Sequence, residues 1–327
     1  MKNKKIVIAG GTGFIGSALM NYFGKDNSII ILSRKLSEIE NNAFTTFAIP
    51  NEIQKNVRTV YWNAKDEGAW INEIDGSDIV INLTGKSVNC RYTSKNKALI
   101  FDSRTNATKA IGNAITKAKV PPKIWLNAAS ATIYRNANDR PQDEITGEYH
   151  NDFSVQVCKL WEKTFFEFNT PFTRKIALRM AITLGNGGVM TPYLNLCKFG
   201  LGGKQGSGKQ MFSWVHIEDV CRSIEFFEAH AELEGVFNIS SPKSVSNKVF
   251  MGTMRKATGN NIGFPAYKWM LQMGASLLGT ETELLLKSRW VVPTKLIAAG
   301  FQFKYSTLES ALEEIIGKLP RKKYHLL

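Results

Sequence analysis

The sequence is short of acidic residues: among 327 residues, 28 Asp and Glu face 42 Lys and Arg, a formal net charge of +14. Such an imbalance allows nucleic acid, an anionic membrane or a phosphorylated ligand as partner and selects none of them. Cysteine is scarce too. Cys90, Cys158, Cys197 and Cys221 stand far apart, with no C-x-x-C pair and no histidine close by. That excludes a disulfide scaffold and a zinc ribbon, and fits a reducing compartment. No apolar run approaches the ~20 residues of a membrane-spanning helix. Lys4-Lys5 and the apolar residues after them resemble a leader, but glycines break the run after about four residues and no small-residue cleavage site follows. The expected location is cytoplasmic, without a membrane partner. No internal repeat is present, and 43% hydrophobic with 21% charged residues excludes a disordered or collagen-like chain.

What is present is an alternation. Lys5–Ala9, Ser28–Leu32, Arg58–Trp62, Asp78–Leu83, Lys123–Ala128 and Phe172–Leu178 read as strands, and Phe14–Phe23, Ser94–Ala118 and Asp152–Phe168 as helices. The strands are near-continuous apolar runs, as KIVIAG and IVINL show, which is the pattern of strands buried on both faces. Their alternation with helices predicts an α/β fold, a Rossmann-type doubly wound parallel sheet. Residues 185–212 are glycine-rich and interrupt it. Helix Glu218–Ala229 and strand Val236–Ser240 return to the sheet, and helices dominate from Pro242 to the amphipathic segment Thr307–Leu319. The expected division is a nucleotide-binding domain of residues 1–184 plus about 214–241. Residues 185–213 plus 242–327 would form a smaller, mainly helical C-terminal cap.

Directly after the first strand stands Gly10-Gly11-Thr12-Gly13-Phe14-Ile15-Gly16. Glycines there let the backbone turn sharply and approach a pyrophosphate, while the helix start offers free N–H groups and the positive end of its dipole. The end of the second strand chooses the cofactor. An NAD site places Asp or Glu there for the ribose 2′-hydroxyl, whereas this chain has Ser33-Arg34-Lys35. Two cations and no carboxylate point to NADP(H). At the end of the fourth strand, the backbone of Leu83, Thr84 and Gly85 is placed to line the cleft, and Lys86 to face either a phosphate or solvent.

With Ala129-Ser130-Ala131-Thr132-Ile133-Tyr134 after the fifth strand, the chain resembles the short-chain dehydrogenase/reductase superfamily in its extended, epimerase-like form. The block Gly200-Leu201-Gly202-Gly203-Lys204-Gln205-Gly206-Ser207-Gly208-Lys209-Gln210 narrows the likeness, as do Ser213-Trp214-Val215-His216-Ile217-Glu218-Asp219 and the tail Ala299-Gly300-Phe301-Gln302-Phe303-Lys304-Tyr305. They are similar to an atypical subgroup named epimerase-family or cell-division-inhibitor-like proteins, which ends in a small domain of unknown function. The resemblance implies that Ser130 hydrogen-bonds the reacting oxygen. It also implies a Tyr-x-x-x-Lys pair, whose lysine lowers the tyrosine pKa and holds the nicotinamide ribose. Lys159 fits the lysine, but Val155 occupies the tyrosine position, so the usual acid/base, worth about 10²–10⁴ in rate, is missing. The subgroup is known for lacking the full set. Nucleotide-sugar enzymes follow the sixth strand with Arg-Tyr-Phe-Asn; here Arg179-Met180-Ala181-Ile182 lacks the asparagine, which argues against a nucleotide sugar.

The expectation is therefore an NADP(H)-dependent oxidoreductase of a small carbonyl or hydroxyl compound, anionic or neutral, or else a catalytically inactive NADP(H)-binding sensor or scaffold. Ser130, Lys159 and Tyr134 form the catalytic set, with Tyr134 read either as a substitute proton donor or as a tyrosine packed beneath the site. Gly10, Thr12, Gly13, Phe14, Ile15, Gly16, Ser33, Arg34, Lys35, Leu83, Thr84, Gly85 and Lys159 form the cofactor set, and no metal is expected. Gly203–Gly208-Lys209 nearly spells a P-loop but ends in Gln210, where Ser or Thr must hold magnesium. That block is instead read as a flexible lid or a structural loop. His216 reads as a packed structural histidine, Asp139, Asp143 and Glu144 as solvated, and Trp214, Trp269 and Trp290 as core or cap aromatics. No nucleic-acid-binding motif occurs, and a monomer or homodimer is expected. Thirteen of the basic residues and five of the acidic ones lie in residues 241–327, so much of the surplus sits on the cap.

Overall fold

The computed structural model describes residues 1–34, 51–277, 279, 281 and 283–325. Seven parallel strands form one sheet: β1 (Lys5–Ala9), β2 (Ser28–Ser33), β3 (Val57–Tyr61), β4 (Ile79–Asn82), β5 (Ile124–Ser130), β6 (Arg174–Met180) and β10 (Gly235–Ile239). Their order is β10-β6-β5-β4-β1-β2-β3, the doubly wound arrangement in which the order reverses between β1 and β4. Two small pairings lie outside it. β7 (Ile182–Leu184) runs parallel to β9 (Trp214–His216), and β8 (Met211–Phe212) antiparallel to β11 (Val245–Ser246).

Alternate residues of each strand feed two layers. Ile6, Ile8, Ile29 and Ile31 pack under α1 (Phe14–Phe23) and α5 (Ile217–Ala229). Val7, Ala9, Ile30 and Leu32 pack under α2 (Ser94–Lys117) and α3 (Phe153–Phe166). The face of α1 that is buried, Gly16, Leu19, Met20 and Phe23, follows the i, i+3, i+4, i+7 spacing of an amphipathic helix. A third apolar cluster belongs to the smaller, mainly helical C-terminal part. Its helices are α4 (Met190–Lys198), α6 (Asn247–Thr258) and α8 (Leu308–Gly317), with α7 (Lys268–Leu277) beside them in sequence.

The main departures from the expected elements have local causes. β6 begins at Arg174 rather than Phe172, because Thr170–Thr173 closes a turn and leaves Phe172 80% exposed. It extends to Met180 because Ser130 of β5 still pairs there. Within the glycine-rich stretch lies α4, whose Met190, Tyr193, Leu194 and Cys197 are buried. Trp214 is core as expected, whereas Trp269 is 61% exposed.

Candidate functional site

All seven strands are parallel, so their carboxyl ends share one edge, and the site is built there. β1 ends at Ala9 and the chain turns at once to start α1. Gly10 takes φ +74°, and a Cβ on it would lie 3.0 Å from the Leu83 backbone carbon and 3.1 Å from the Thr84 nitrogen. The loop after β4 therefore lies directly against the loop after β1. A Cβ on Gly16 would strike the Gly11 carbonyl oxygen at 2.3 Å, so the helix packs close to the turn only because this residue is glycine. Gly13 caps α1 with extended backbone and no side-chain hydrogen bond, and the space beside it is open, the nearest atom to a Cβ being 3.6 Å away. The first-turn N–H groups of α1, from Phe14 to Gly16, stand at the positive end of its dipole. Thr12 is half-buried in the same turn. Thr84 Oγ1 is enclosed without a hydrogen-bond partner among the described residues, while its N–H donates to Asn82 Oδ1 at 3.0 Å and Gly85 is exposed. An orphaned hydroxyl beside a glycine cradle is a group that a bound polar ligand would satisfy. These residues fit a dinucleotide. Ala9 pairs with Leu32, so Ser33, buried, and Arg34, exposed, flank the glycine turn. Lys35 lies outside the described residues.

Ser130 ends β5, and its Oγ accepts from the Thr132 N–H at 3.2 Å to open a turn over Ala131–Ile133. Asp152 caps α3 through the Val155 N–H. On that helix Val155 is fully buried and Lys159 exposed, its Nζ 5.5 Å from the Tyr149 ring centre. Among the described residues no hydrogen bond joins Lys159 to Ser130. Of the two readings of Tyr134, its placement matches the packed tyrosine and not the proton donor. It is 2% exposed; its hydroxyl accepts from Arg179 Nη1 at 2.8 Å and donates to Asn238 Oδ1 at 2.9 Å. Burial pushes that phenol further up from its ordinary pKa. It supports the site from beneath.

Comparison with known proteins gives these features a context. Residues 6–160 match the model of the NAD dependent epimerase/dehydratase family, and residues 268–315 match a domain of unknown function, DUF1731. Epimerase family protein YfhF of Bacillus subtilis (strain 168) is 31% identical over 95% of this chain and 98% of its own length. A Staphylococcus saprophyticus epimerase family protein, SSP1921, is 32% identical over 96% and 99%. The chain belongs to the epimerase family. Among solved structures, the human epimerase family protein SDR39U1 (isoform 2) with NADPH superposes with a TM-score of 0.82 at 27% identity, covering 96% of this chain and 99% of that one. The UDP-N-acetylglucosamine 4-epimerase of Methanobrevibacter ruminantium M1 shares the fold, with a TM-score of 0.74 at 16% identity over 97% and 98% of the two chains.

Within this epimerase-family site the sequence reading missed three arginines. Arg179 is 4% exposed. It holds Glu162 through two bonds of 2.8 Å, and Tyr149 through a third of 3.0 Å. Burial works against its charge, but the two-point bond to Glu162 raises its pKa on balance. Arg104 is pressed against Gly85, where a Cβ would lie 3.1 Å from its guanidinium carbon, and its Nη1 reaches the carbonyls of Lys86 and Ile100. Arg289, from the segment before the cap's last helices, donates through Nε to Thr132 Oγ1 at 3.3 Å. For the glycine-rich block the sequence allows either a flexible lid or a structural loop. Its burial matches the structural loop: Gln205 and Gln210 are buried, Gln210 donates to the Gln205 carbonyl, and Asn247 accepts from the Gln205 N–H and donates to its side-chain oxygen. His216 is packed as expected, accepting at Nδ1 from the Glu218 N–H and donating from Nε2 to Glu314. Asp139 pairs with Arg135. Glu144 is not solvated but accepts from the Asn238 N–H at 2.7 Å, and burial raises its pKa.

Proposed function

We propose that the chain is an NADP(H)-dependent oxidoreductase acting on a small anionic carbonyl or hydroxyl compound. Gly10, Thr12, Gly13 and the first turn of α1 receive the pyrophosphate, Leu83–Gly85 line the cleft, and Arg34 with Lys35 meets the 2′-phosphate. Lys159 holds the nicotinamide ribose. The bound cofactor supplies a hydride at the nicotinamide ring. Ser130 donates a hydrogen bond to the substrate oxygen and passes its proton to it, regaining one from water, so that a carbonyl leaves as an alcohol. The observation that carries the reading is the glycine cradle with its Thr84 hydroxyl unpaired among the described residues, set beside a β2 end whose sequence, Ser33-Arg34-Lys35, has two cations and no carboxylate. Titration with both cofactors tests it. Arg34→Ala should weaken NADPH about tenfold to a hundredfold and leave NADH unchanged; an Arg34→Ala protein with undiminished NADPH preference refutes the assignment. The proposed setting is cytoplasmic, with a small-molecule substrate and no nucleic-acid partner.

The buried Val155 favours a second reading, a non-catalytic NADP(H)-binding sensor or scaffold. Incubation with NADPH and a panel of carbonyl compounds separates the two: bound cofactor that no compound oxidises supports the sensor.

A further inference from the structure

Arg289 has an unmatched end. Its Nε is tied to Thr132 Oγ1 and its backbone is fixed at both sides, the N–H on the Met211 carbonyl and the C=O on the Ser213 hydroxyl. Nη1, by contrast, is enclosed and has no hydrogen-bond partner among the described residues. The carboxylates closest in charge influence are Glu283 and Asp152, and both are occupied. Glu283 accepts from Ser154 at 3.1 Å and faces Lys287 at 3.6 Å. Asp152 takes Lys287 Nζ at 2.6 Å and caps α3 with its other oxygen. The other polar neighbours, Tyr92 and Cys158, are neutral: burial raises the Tyr92 phenol and pushes the Cys158 thiol up to about 12. A second cation, Arg104, sits within charge range of the same tyrosine and cysteine, and among the described residues neither guanidinium has an ion-pair partner. Burying a guanidinium without a counter-ion is costly unless something else supplies the charge.

The place of this group within the site says what that something is. Thr132, which holds Arg289, is the residue whose N–H is held by Ser130 Oγ. The free Nη1 is thus tethered by one side chain to the turn that carries the hydroxyl facing the reacting oxygen. Two hydrogen bonds through Thr132 link the two groups, a separation that suits an anion and a carbonyl of one short fragment. The planar fork of arginine matches the two oxygens of a carboxylate.

We propose that Arg289, presented by the C-terminal part, is the substrate-carboxylate anchor, and that the substrate is a short oxo acid or hydroxy acid with its carboxylate a few bonds from the reacting carbon. The proposal rests on the oxidoreductase reading and names its substrate class. The test is calorimetric binding of malonate, with uncharged malonamide as control, to protein with and without NADPH, alongside NADPH oxidation with three- to six-carbon oxo acids and the matching methyl ketones. Arg289→Met should weaken malonate about tenfold or more and leave NADPH affinity unchanged. Oxo acids, and not methyl ketones, should oxidise NADPH. If Arg289→Met does not fold, Arg289→Lys carries the test: it retains the charge and loses the fork, and several-fold weaker malonate binding is expected. Malonate bound as tightly by the variants, or matched by malonamide, overturns the anchor and leaves the cofactor reading standing. NADPH that fails to bind, with malonate binding still dependent on Arg289, overturns the cofactor reading and leaves the anchor.

Discussion

The three arginines beside the site carry three different degrees of satisfaction among the described residues. Arg179 is fully answered by Glu162, Tyr134 and Tyr149, Arg104 by two backbone carbonyls, and Arg289 by a single hydroxyl. Two of them were legible. Arg104 interrupts the stripe Ile100, Ala107, Ile111 on α2, and Arg179 interrupts the apolar run of β6; a lone cation at a buried period is a signal. Arg289 was not, because its environment is assembled from Thr132 and Met211, segments far apart in the sequence. The same explains Tyr134. Its nearness to Ser130 in sequence suggested chemistry, whereas its hydroxyl is spent on Arg179 and Asn238. Tyr134→Phe would leave both groups short of a partner in a dry interior, costing about 1–3 kcal/mol of stability. Thermal melting should register that loss while NADPH affinity stays at the wild-type level.

Between elements, a polar ladder passes through the apolar layer. Asn82 at the end of β4 donates to Asn127 of β5 at 2.7 Å, Thr108 of α2 approaches both, and Trp161 of α3 donates to Thr108 Oγ1 at 3.1 Å. Asn82 also receives the Thr84 N–H, so the ladder fixes the cleft loop to two helices. Thr108→Val keeps the shape and removes the acceptor, stranding the Trp161 indole; a loss of about 1–3 kcal/mol in denaturant unfolding is expected. β1 and α1 were read with their observed bounds because strand period, glycine turn and helix period agree over twenty residues. α4 was hidden because glycine density outweighed a buried spacing that was present all along, Met190, Tyr193, Leu194 and Cys197.

At the scale of the molecule, the C-terminal part is latched to the sheet where α5 begins. Glu314 of α8 receives His216 and also pairs with Lys318, while Asp219 accepts the N–H groups of Lys304 and Tyr305. Burial lowers the His216 pKa from 6.5, with Glu314, Asp219 and Glu218 opposing, so the folded histidine stays neutral where the unfolded one takes a proton. Its contribution is present above pH 6.5 and is lost as pH falls below it. Glu314, whose pKa is lowered in the fold, adds to the same trend at more acidic pH. His216→Asn keeps an acceptor for the Glu218 N–H. Its melting temperature should start lower at neutral pH and decline less between pH about 6.5 and 5. An equally steep decline would show that the latch does not titrate.

β6 has a particular position in time. It lies between β5 and β10, but β10 begins at Gly235, and the glycine-rich segment and α5 intervene. A ribosome adding about 5–20 residues per second needs roughly 3–10 seconds to deliver that partner. Until then Arg174–Met180 presents a bare apolar edge, a template for joining another nascent chain. Arg174 and Lys175, which end on backbone carbonyls in the finished fold, and Arg179 put three positive charges on the waiting strand. Charges that the mature structure requires thus already stand on the open edge, where charge opposes pairing with another chain.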